Sequence, residues 1–73
     1  MTKSKASRVP SGFGERLRAL REAAELSRET LAGQVPCSTY TIAKLEYGKQ
    51  EPTWPLVLGL AAALGVSTEA FKA

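Results

Sequence analysis

The sequence predicts an all-α fold, a compact bundle of five short helices, and three observations support this. Apolar residues recur at helical spacing from Phe13 through Leu17 and Leu20 to Ala24. A serine or threonine, which favours helix N-caps, precedes each later apolar segment. No segment alternates apolar and polar residues as a half-buried strand would.

The first two helices are separated by a serine. The first begins at Ser11 or Gly12 and continues to the segment before Ser27. The hydroxyl of Ser27 can accept a hydrogen bond from a free backbone N–H one turn further on, so Ser27 caps the second helix. That helix ends near Gln34, because Pro36 disfavours a helical conformation in the residue before it.

The third helix is capped by Ser38 and runs to about Glu46. Ile42 and Leu45 lie three residues apart and are expected to face inward. Gly48 follows as a helix-ending residue with positive φ.

The fourth and fifth predicted helices contain few polar residues. Thr53 caps the fourth helix, which runs to about Leu64 and stops at Gly65. Ser67 caps a fifth short helix that carries Phe71.

Charge divides the chain into two parts. The 73 residues have a formal net charge of +3. Lys3, Lys5 and Arg8 lie in residues 1–10, which are expected to form a flexible basic arm. Residues 11–73 form the single predicted domain, with seven basic and seven acidic residues, so this body is neutral. The positive net charge is therefore compatible with two interpretations, nucleic-acid binding or a solvated basic tail.

The sequence lacks the residues that several functional classes require. One cysteine, Cys37, and no histidine cannot form an internal disulfide or a zinc site, and no cofactor is expected. Without a glycine-rich phosphate loop or a metal cluster, an enzyme is not expected. The longest apolar run has twelve residues, whereas a membrane span needs about 20. We expect a soluble, cytoplasmic protein with no membrane partner.

A family resemblance rests on three segments: Leu26–Ala32, Ser38–Glu46 and Gly48–Lys49. They resemble the Cro/C1-type (XRE-family) helix-turn-helix, to which phage repressors belong, and the likeness covers roughly residues 12–72. The resemblance implies a lambda-repressor-like DNA-binding domain whose recognition helix, about residues 38–47, lies in the major groove of double-stranded DNA.

The sequence departs from the family pattern in three places, which comprise five residues. Arg28 stands where the family usually has glutamine, and Val35–Pro36 where it often has alanine-glycine. Gly59 and Ala62 stand where the fourth helix of the family usually carries charged residues.

The outer side of the third helix carries a stripe without an acidic residue: Thr39, Tyr40, Ala43, Lys44 and Tyr47. An α-helix fits the major groove, where polar side chains reach base edges. The resemblance implies base contacts from Thr39, Tyr40 and Lys44. The methyl group of Ala43 can contact the methyl group of a thymine. The alternative is an ordinary solvated helix face.

We expect phosphate contacts from Tyr47, at the end of the stripe, and from three residues beside it: Arg28, Thr41 and Lys49. The resemblance implies that Arg28, Lys49 and the backbone around Tyr47 and Gly48 touch the DNA backbone. The alternative for Arg28 is a surface ion pair with Glu25 or Glu29.

Other conspicuous residues are assigned structural roles. The resemblance pairs Arg21, late in the first helix, with Glu46. Trp54 is expected in the core instead of serving as a stacking platform. Cys37 is expected to be a small turn or core residue.

Two functional hypotheses follow. The first is a transcriptional regulator, with a repressor favoured over an activator. It would bind as a homodimer to two half-sites about 34 Å apart, and the dimer would form in solution or only on DNA. Its dimer contact is expected near Gly59, Ala62 and Ala63. The second is a protein-interaction module or antitoxin-like adaptor that uses the apolar helix 53–64. The arm would follow the DNA backbone, enter a minor groove, or stay solvated.

Overall fold

Four α-helices and one 3-10 turn make up the regular structure of the computed structural model, which describes residues 12–71. The elements in chain order are α1 (Phe13–Ala23), α2 (Arg28–Gln34), α3 (Thr39–Glu46), α4 (Trp54–Leu64) and the 3-10 turn (Thr68–Phe71). No strand occurs between residues 12 and 71. The all-α prediction is confirmed. The predicted arm, residues 1–10, lies outside the described residues.

The prediction of five α-helices is wrong by one, because the last element is a 3-10 turn. The N–H of Ala70 donates to the carbonyl of Ser67, three residues back, at 3.0 Å. The hydroxyl of Ser67 accepts from the N–H of Glu69, only two residues ahead, at 2.9 Å. This tighter hydrogen-bond pattern is typical of short helical pieces.

Hydroxyl caps begin three of the four helices, as the sequence predicts. The side-chain oxygens of Ser27, Ser38 and Thr53 accept from backbone N–H groups three residues on, at 3.0, 3.0 and 3.3 Å. Each cap satisfies one of the donors that the first turn of a helix leaves without an intrahelical partner. Gly65, with φ of 71°, ends α4 as predicted.

The end of α1 holds a non-glycine residue in the left-handed region, Glu25, with φ of 60°. Two backbone hydrogen bonds fix this turn: the N–H of Leu26 donates to the carbonyl of Arg21, and that of Glu25 to the carbonyl of Glu22. The pair forms a Schellman motif, which usually places glycine where Glu25 stands.

The core lies where the helices converge. Its fully buried side chains are Leu17, Leu31, Ile42, Leu45 and Leu60. The rings of Phe13 and Phe71 lie with centroids 5.0 Å apart, so the 3-10 turn packs back on the start of α1. Across residues 12–71, every helix is too short or too polar to cross a membrane.

Candidate nucleic-acid interface

The turn between α2 and α3 places one of its residues inside and one outside. Val35 is buried in the core, while Pro36 is exposed. The N–H of Cys37 donates to the carbonyl of Ala32 at 3.2 Å and closes the turn on the end of α2. Cys37 is half-buried against the core, and this burial raises the pKa of its thiol. The departure at Val35–Pro36 is therefore compatible with a closed turn.

The outward face of α3 contains the five residues of the predicted stripe. Ile42 and Leu45 point into the core with almost no exposed surface. On the opposite side, Tyr40 is 70% exposed and Tyr47 is 61% exposed. The half-buried members are Thr39, Ala43 and Lys44. The structure thus brings the predicted base-contacting residues to one face of one helix.

Within the stripe, Lys44 lies against Tyr40, one helical turn away. The Nζ atom of Lys44 is 4.7 Å from the centroid of the Tyr40 ring. A cation–π contact at an exposed site contributes only about 0.5–1 kcal/mol. The contact orders both side chains, yet it is weak enough for the ammonium group to move to a ligand oxygen.

Glu46 is the electrostatic centre behind the stripe. Its carboxylate accepts from Nε of Arg21 at 2.7 Å and from Nη2 of Arg21 at 3.3 Å. The Glu46 side chain is 1% exposed. Burial alone would raise the pKa of Glu46, but the hydrogen bonds and charges of Arg21 and Arg28 outweigh burial and lower that pKa. The geometry has the form of the Arg21–Glu46 pair that the resemblance implies, and it fixes α3 against α1.

Arg28 joins this cluster from α2. Its Nε donates to Glu46 at 3.0 Å, and its Nη2 lies 3.4 Å from the hydroxyl of Tyr47. These hydrogen bonds, that to Tyr47 first, raise the pKa of Arg28. The alternative for Arg28, an ion pair with Glu25 or Glu29, is wrong. Arg28 forms its ion pair with Glu46.

The Arg21–Glu46–Arg28 cluster continues through Glu22, which lies 3.9 Å from Nη2 of Arg21 and 3.1 Å from Nε of Arg18. Three guanidinium groups therefore face two carboxylates, and one positive charge is in excess. The Arg28 side chain is 29% exposed, and its Nη1 has no hydrogen-bond partner among residues 12–71. Arg28 and Thr39 also line the same shallow, open hollow of about 360 Å³ between the starts of α2 and α3, and the acidic Glu29 lines it with them. A charged donor therefore remains available beside the stripe.

The other groups expected to contact phosphate differ in their exposure and in the hydrogen bonds that they already make. Lys49 is exposed just beyond α3. The hydroxyl of Thr41 lies 3.0 Å from that of Ser38, inside the helix cap. The N–H groups of Tyr47, Gly48 and Lys49 donate to carbonyls of α3. This segment therefore offers side chains more readily than backbone donors.

Gly14 sets how closely α1 approaches the end of α3, and the sequence analysis missed it. A Cβ atom at Gly14 would lie 2.5 Å from the carbonyl oxygen of Leu45 and 2.6 Å from that of Glu46. The helices therefore meet backbone to backbone at this point. A glycine inside a predicted helix was the only available signal.

The prediction that Trp54 belongs to the core is wrong, because the side chain is 62% exposed. The inward face of α4 is formed by Leu60 and Ala61, with Leu56 and Val57 beside them. Since α4 contains no charged residue, its sequence carries no polar face that would reveal which side points outward.

An all-helical fold in which a tight turn joins α2 to α3, with the outer face of α3 exposed, defines a helix-turn-helix protein. The helix-turn-helix domain family matches residues 13–73, and the chain belongs to this family. The resemblance to the Cro/C1-type helix-turn-helix is thereby confirmed. No curated protein matches the sequence.

Solved structures show the same fold. The restriction-modification controller protein C.AhdI from Aeromonas hydrophila is 36% identical with a TM-score of 0.79, covering 81% of this chain and 89% of that chain. The P22 c2 repressor, solved in complex with the synthetic operator 9T, is 30% identical with a TM-score of 0.77, covering 82% and 91%.

The similar structures include that of an enzyme. Hydroxypropylphosphonic acid epoxidase from S. wedmorenis is 29% identical with a TM-score of 0.80, and the match covers 89% of this chain. It covers only 35% of the epoxidase chain, so the similarity concerns a part of that protein.

Proposed function

We propose that this chain binds double-stranded DNA in a sequence-specific way and acts as a transcriptional regulator, with α3 in the major groove. The observation that carries the proposal is the acid-free outer face of α3, presented by a helix-turn-helix. The P22 c2 repressor, similar over most of both chains, was solved with an operator. Repression would follow from occupancy of an operator.

Base contacts are assigned to the first two turns of α3. Thr39 and Tyr40 carry hydroxyl groups that can donate or accept, and Lys44 can donate to guanine acceptors. The Ala43 methyl group can meet a thymine methyl group. The proximity of Lys44 to the Tyr40 ring supports this assignment, because it holds both polar ends near one patch of the groove-facing surface.

Phosphate contacts are assigned to the edges of the stripe. Arg28 supports this role with an Nη1 that has no hydrogen-bond partner among residues 12–71 and with the excess positive charge of its cluster. Lys49 supports it by exposure, and Tyr47 and Thr41 by position. These contacts would fix the register of α3 without reading sequence.

The decisive experiment is selection of bound sequences from a random DNA pool, followed by titration of variants on the selected duplex. Lys44→Ala is expected to weaken binding by about tenfold or more and to relax the preference at one base pair. Arg16→Ala is the matched control, because it removes one exposed positive charge outside α2 and α3. No enrichment from the pool, or equal effects of the two variants, would contradict the proposal.

Arg28 is tested by salt dependence. Arg28→Gln is expected to reduce the slope of log affinity against log salt by about one, with the preferred sequence unchanged. Arg28→Lys, which keeps the charge, is expected to retain most of the slope. If the slope were unchanged in Arg28→Gln, Arg28 would make no phosphate contact and its role would be purely structural.

A protein-interaction function is the second candidate, and the exposure of Trp54 and Leu58 on α4 favours it. In that case Lys44→Ala and Arg28→Gln would leave function intact, and the random pool would yield no preferred sequence.

A further inference from the structure

Arg28 is held by two side chains at the end of α3. Its Nε donates to the buried carboxylate of Glu46 at 3.0 Å. Its Nη2 donates to the hydroxyl oxygen of Tyr47 at 3.4 Å, and its guanidinium carbon lies 5.2 Å from the centroid of the Tyr47 ring. Glu46 is the last residue of α3 and Tyr47 is its C-cap, so one short segment of chain determines both contacts.

The planar shape of the guanidinium group determines which donors these contacts leave free. Its five N–H bonds have fixed directions in one plane. Nε and Nη2 form one edge of the group, and in Arg28 this edge faces Glu46 and Tyr47. Nη1 is the remaining corner, and it has no hydrogen-bond partner among residues 12–71. The two contacts together therefore fix the direction in which the free donors of Arg28 point.

Arg21 provides a comparison for an arginine without a tyrosine beside it. It approaches the same carboxylate with both Nε, at 2.7 Å, and Nη2, at 3.3 Å. Two parallel hydrogen bonds of this kind are a frequent geometry between arginine and a carboxylate. Arg28 makes only the Nε contact with Glu46, and its Nη2 donates to Tyr47 instead. The Tyr47 hydroxyl thus competes with Glu46 for one donor of Arg28 and keeps the guanidinium from turning fully onto the carboxylate.

Tyr47 contributes little to the core. Its side chain is 61% exposed and lies outside the buried cluster. Among residues 12–71 it makes no further hydrogen bond and no further ring contact. Because an exposed ring buries little apolar surface, its contribution to folding is small. The effect of its hydroxyl and its ring is to order Arg28.

We infer that Tyr47 is a positioning residue for Arg28, and that it serves the DNA backbone by holding Nη1 of Arg28 toward a phosphodiester oxygen. The inference rests on the proposed function and deepens it, since the phosphate role of Tyr47 becomes an indirect one. The need arises at a departure from the family pattern, because arginine stands at position 28 in place of glutamine and its longer side chain has many rotamers to lose. Ordering that side chain before DNA arrives lowers the entropy that binding must remove.

The test is a double-mutant cycle on the duplex selected from the random pool. Its variants are Tyr47→Phe, which removes only the hydroxyl, Arg28→Gln, and the two together. Tyr47→Phe is expected to weaken binding by about threefold to tenfold, the effect of one hydrogen bond. In the Arg28→Gln background the same change is expected to have no effect, because no guanidinium is left to hold. Equal effects in the two backgrounds would overturn the positioning role and give Tyr47 a contact of its own, with the proposed function intact.

Salt dependence separates an indirect role of Tyr47 from a direct one. A phosphate contact by a neutral hydroxyl releases no counterion, whereas a contact by arginine does. Tyr47→Phe should therefore lower the slope of log affinity against log salt toward the slope of Arg28→Gln. If Tyr47→Phe weakened binding and left the slope unchanged, the inference would be wrong.

The matched control is Tyr40→Phe. It removes the hydroxyl of the other tyrosine, whose ring contacts Lys44 and not Arg28. Its effect on affinity should be the same in the parent and in the Arg28→Gln background, and its salt slope should equal that of the parent chain. The contrast between the two tyrosines isolates the contact with Arg28 from the general effect of removing a hydroxyl.

The positioning can also be measured without DNA. The NMR order parameter of Nε reports how firmly an arginine side chain is held on the picosecond to nanosecond timescale. It should fall for Arg28 in Tyr47→Phe and stay unchanged for Arg21, while urea unfolding gives the same stability as for the parent chain. An unchanged order parameter for Arg28 would overturn the inference, whatever the DNA experiments show. A parent chain that selects no sequence from the pool would instead overturn the proposed function.

Discussion

Replacing Glu46 by glutamine tests whether the buried cluster holds α3 in place. The substitution keeps the shape of the side chain and removes the charge that faces Arg21 at 2.7 Å and Arg28 at 3.0 Å. Arg21 then keeps a guanidinium group that is only 11% exposed, and its remaining partners are the carbonyl of Leu26 at 2.9 Å and the more distant carboxylate of Glu22 at 3.9 Å. Arg28 is more exposed and can turn toward water.

The expected loss is large relative to the total stability. Removing one partner of a buried ion pair costs about 3–5 kcal/mol. A domain of this size rarely has more than about 3–5 kcal/mol of net stability. Glu46→Gln should therefore be substantially unfolded near room temperature. Replacing both partners, with Glu46→Leu and Arg21→Met together, should recover most of the stability, because no buried charge is then left alone.

Urea unfolding followed by helix circular dichroism measures these differences. The control is Arg18→Gln, which removes only the exposed ion pair between Arg18 and Glu22, 3.1 Å long, and should change stability by less than about 1 kcal/mol. If Glu46→Gln were as stable as the Arg18→Gln control, the cluster would not be what holds α3 against α1.

Acid provides an independent check on the same group. The pKa of Glu46 is lowered in the folded protein, so its contribution is fully present above the ordinary glutamate value of about 4.5 and is lost as pH falls through the folded value. In that acidic range the free energy of unfolding of the parent chain should fall until it approaches that of Glu46→Gln. Parallel pH profiles for the two proteins would refute the reasoning.

Three further substitutions test local features of the fold, each by thermal or urea unfolding. Glu25→Gly should stabilise the protein by about 0.5–1 kcal/mol, because Glu25 has positive φ, whereas Glu15→Gly in a regular helical turn should destabilise it by a similar amount. Ser38→Ala removes the hydroxyl cap of α3 and should cost about 1 kcal/mol; a cost near zero would mean that water replaces the cap. Gly14→Ala forces α1 away from Leu45 and should cost about 1–3 kcal/mol. A Gly14→Ala protein at least as stable as the parent would contradict the close approach.

The sequence predicts most of α3 correctly because that helix is truly two-sided. Ile42 and Leu45 are apolar among polar neighbours, so their inward direction fixes the direction of every other side chain. The hydroxyl caps are equally local signals, since Ser38 acts on the N–H three residues away. Where cause and effect lie within one turn of helix, sequence is sufficient.

Long-range features escape the same reasoning. Arg28 and Glu46 are 18 residues apart, and local spacing favoured the nearer acids for Arg28. The approach of Gly14 to Leu45 and Glu46 likewise depends on how α1 crosses α3. Trp54 was misplaced for a different reason, because a helix that is apolar all round gives no indication of its outward side.

A neutral body can still present positive charge along α3, because the one acid of that helix is paired with two arginines. The only acid of α3, Glu46, is buried beneath two guanidinium groups and contributes no free negative charge to the surface. Glu15 and Glu22 lie on α1, whereas Glu29 on α2 is exposed and lines the same hollow as Arg28 and Thr39. What the phosphates would meet is the excess charge of Arg28 together with Lys44 and Lys49. The same cluster that holds α3 on α1 also positions Arg28 at the edge of α3, so a substitution at Glu46 should disturb stability and DNA affinity together.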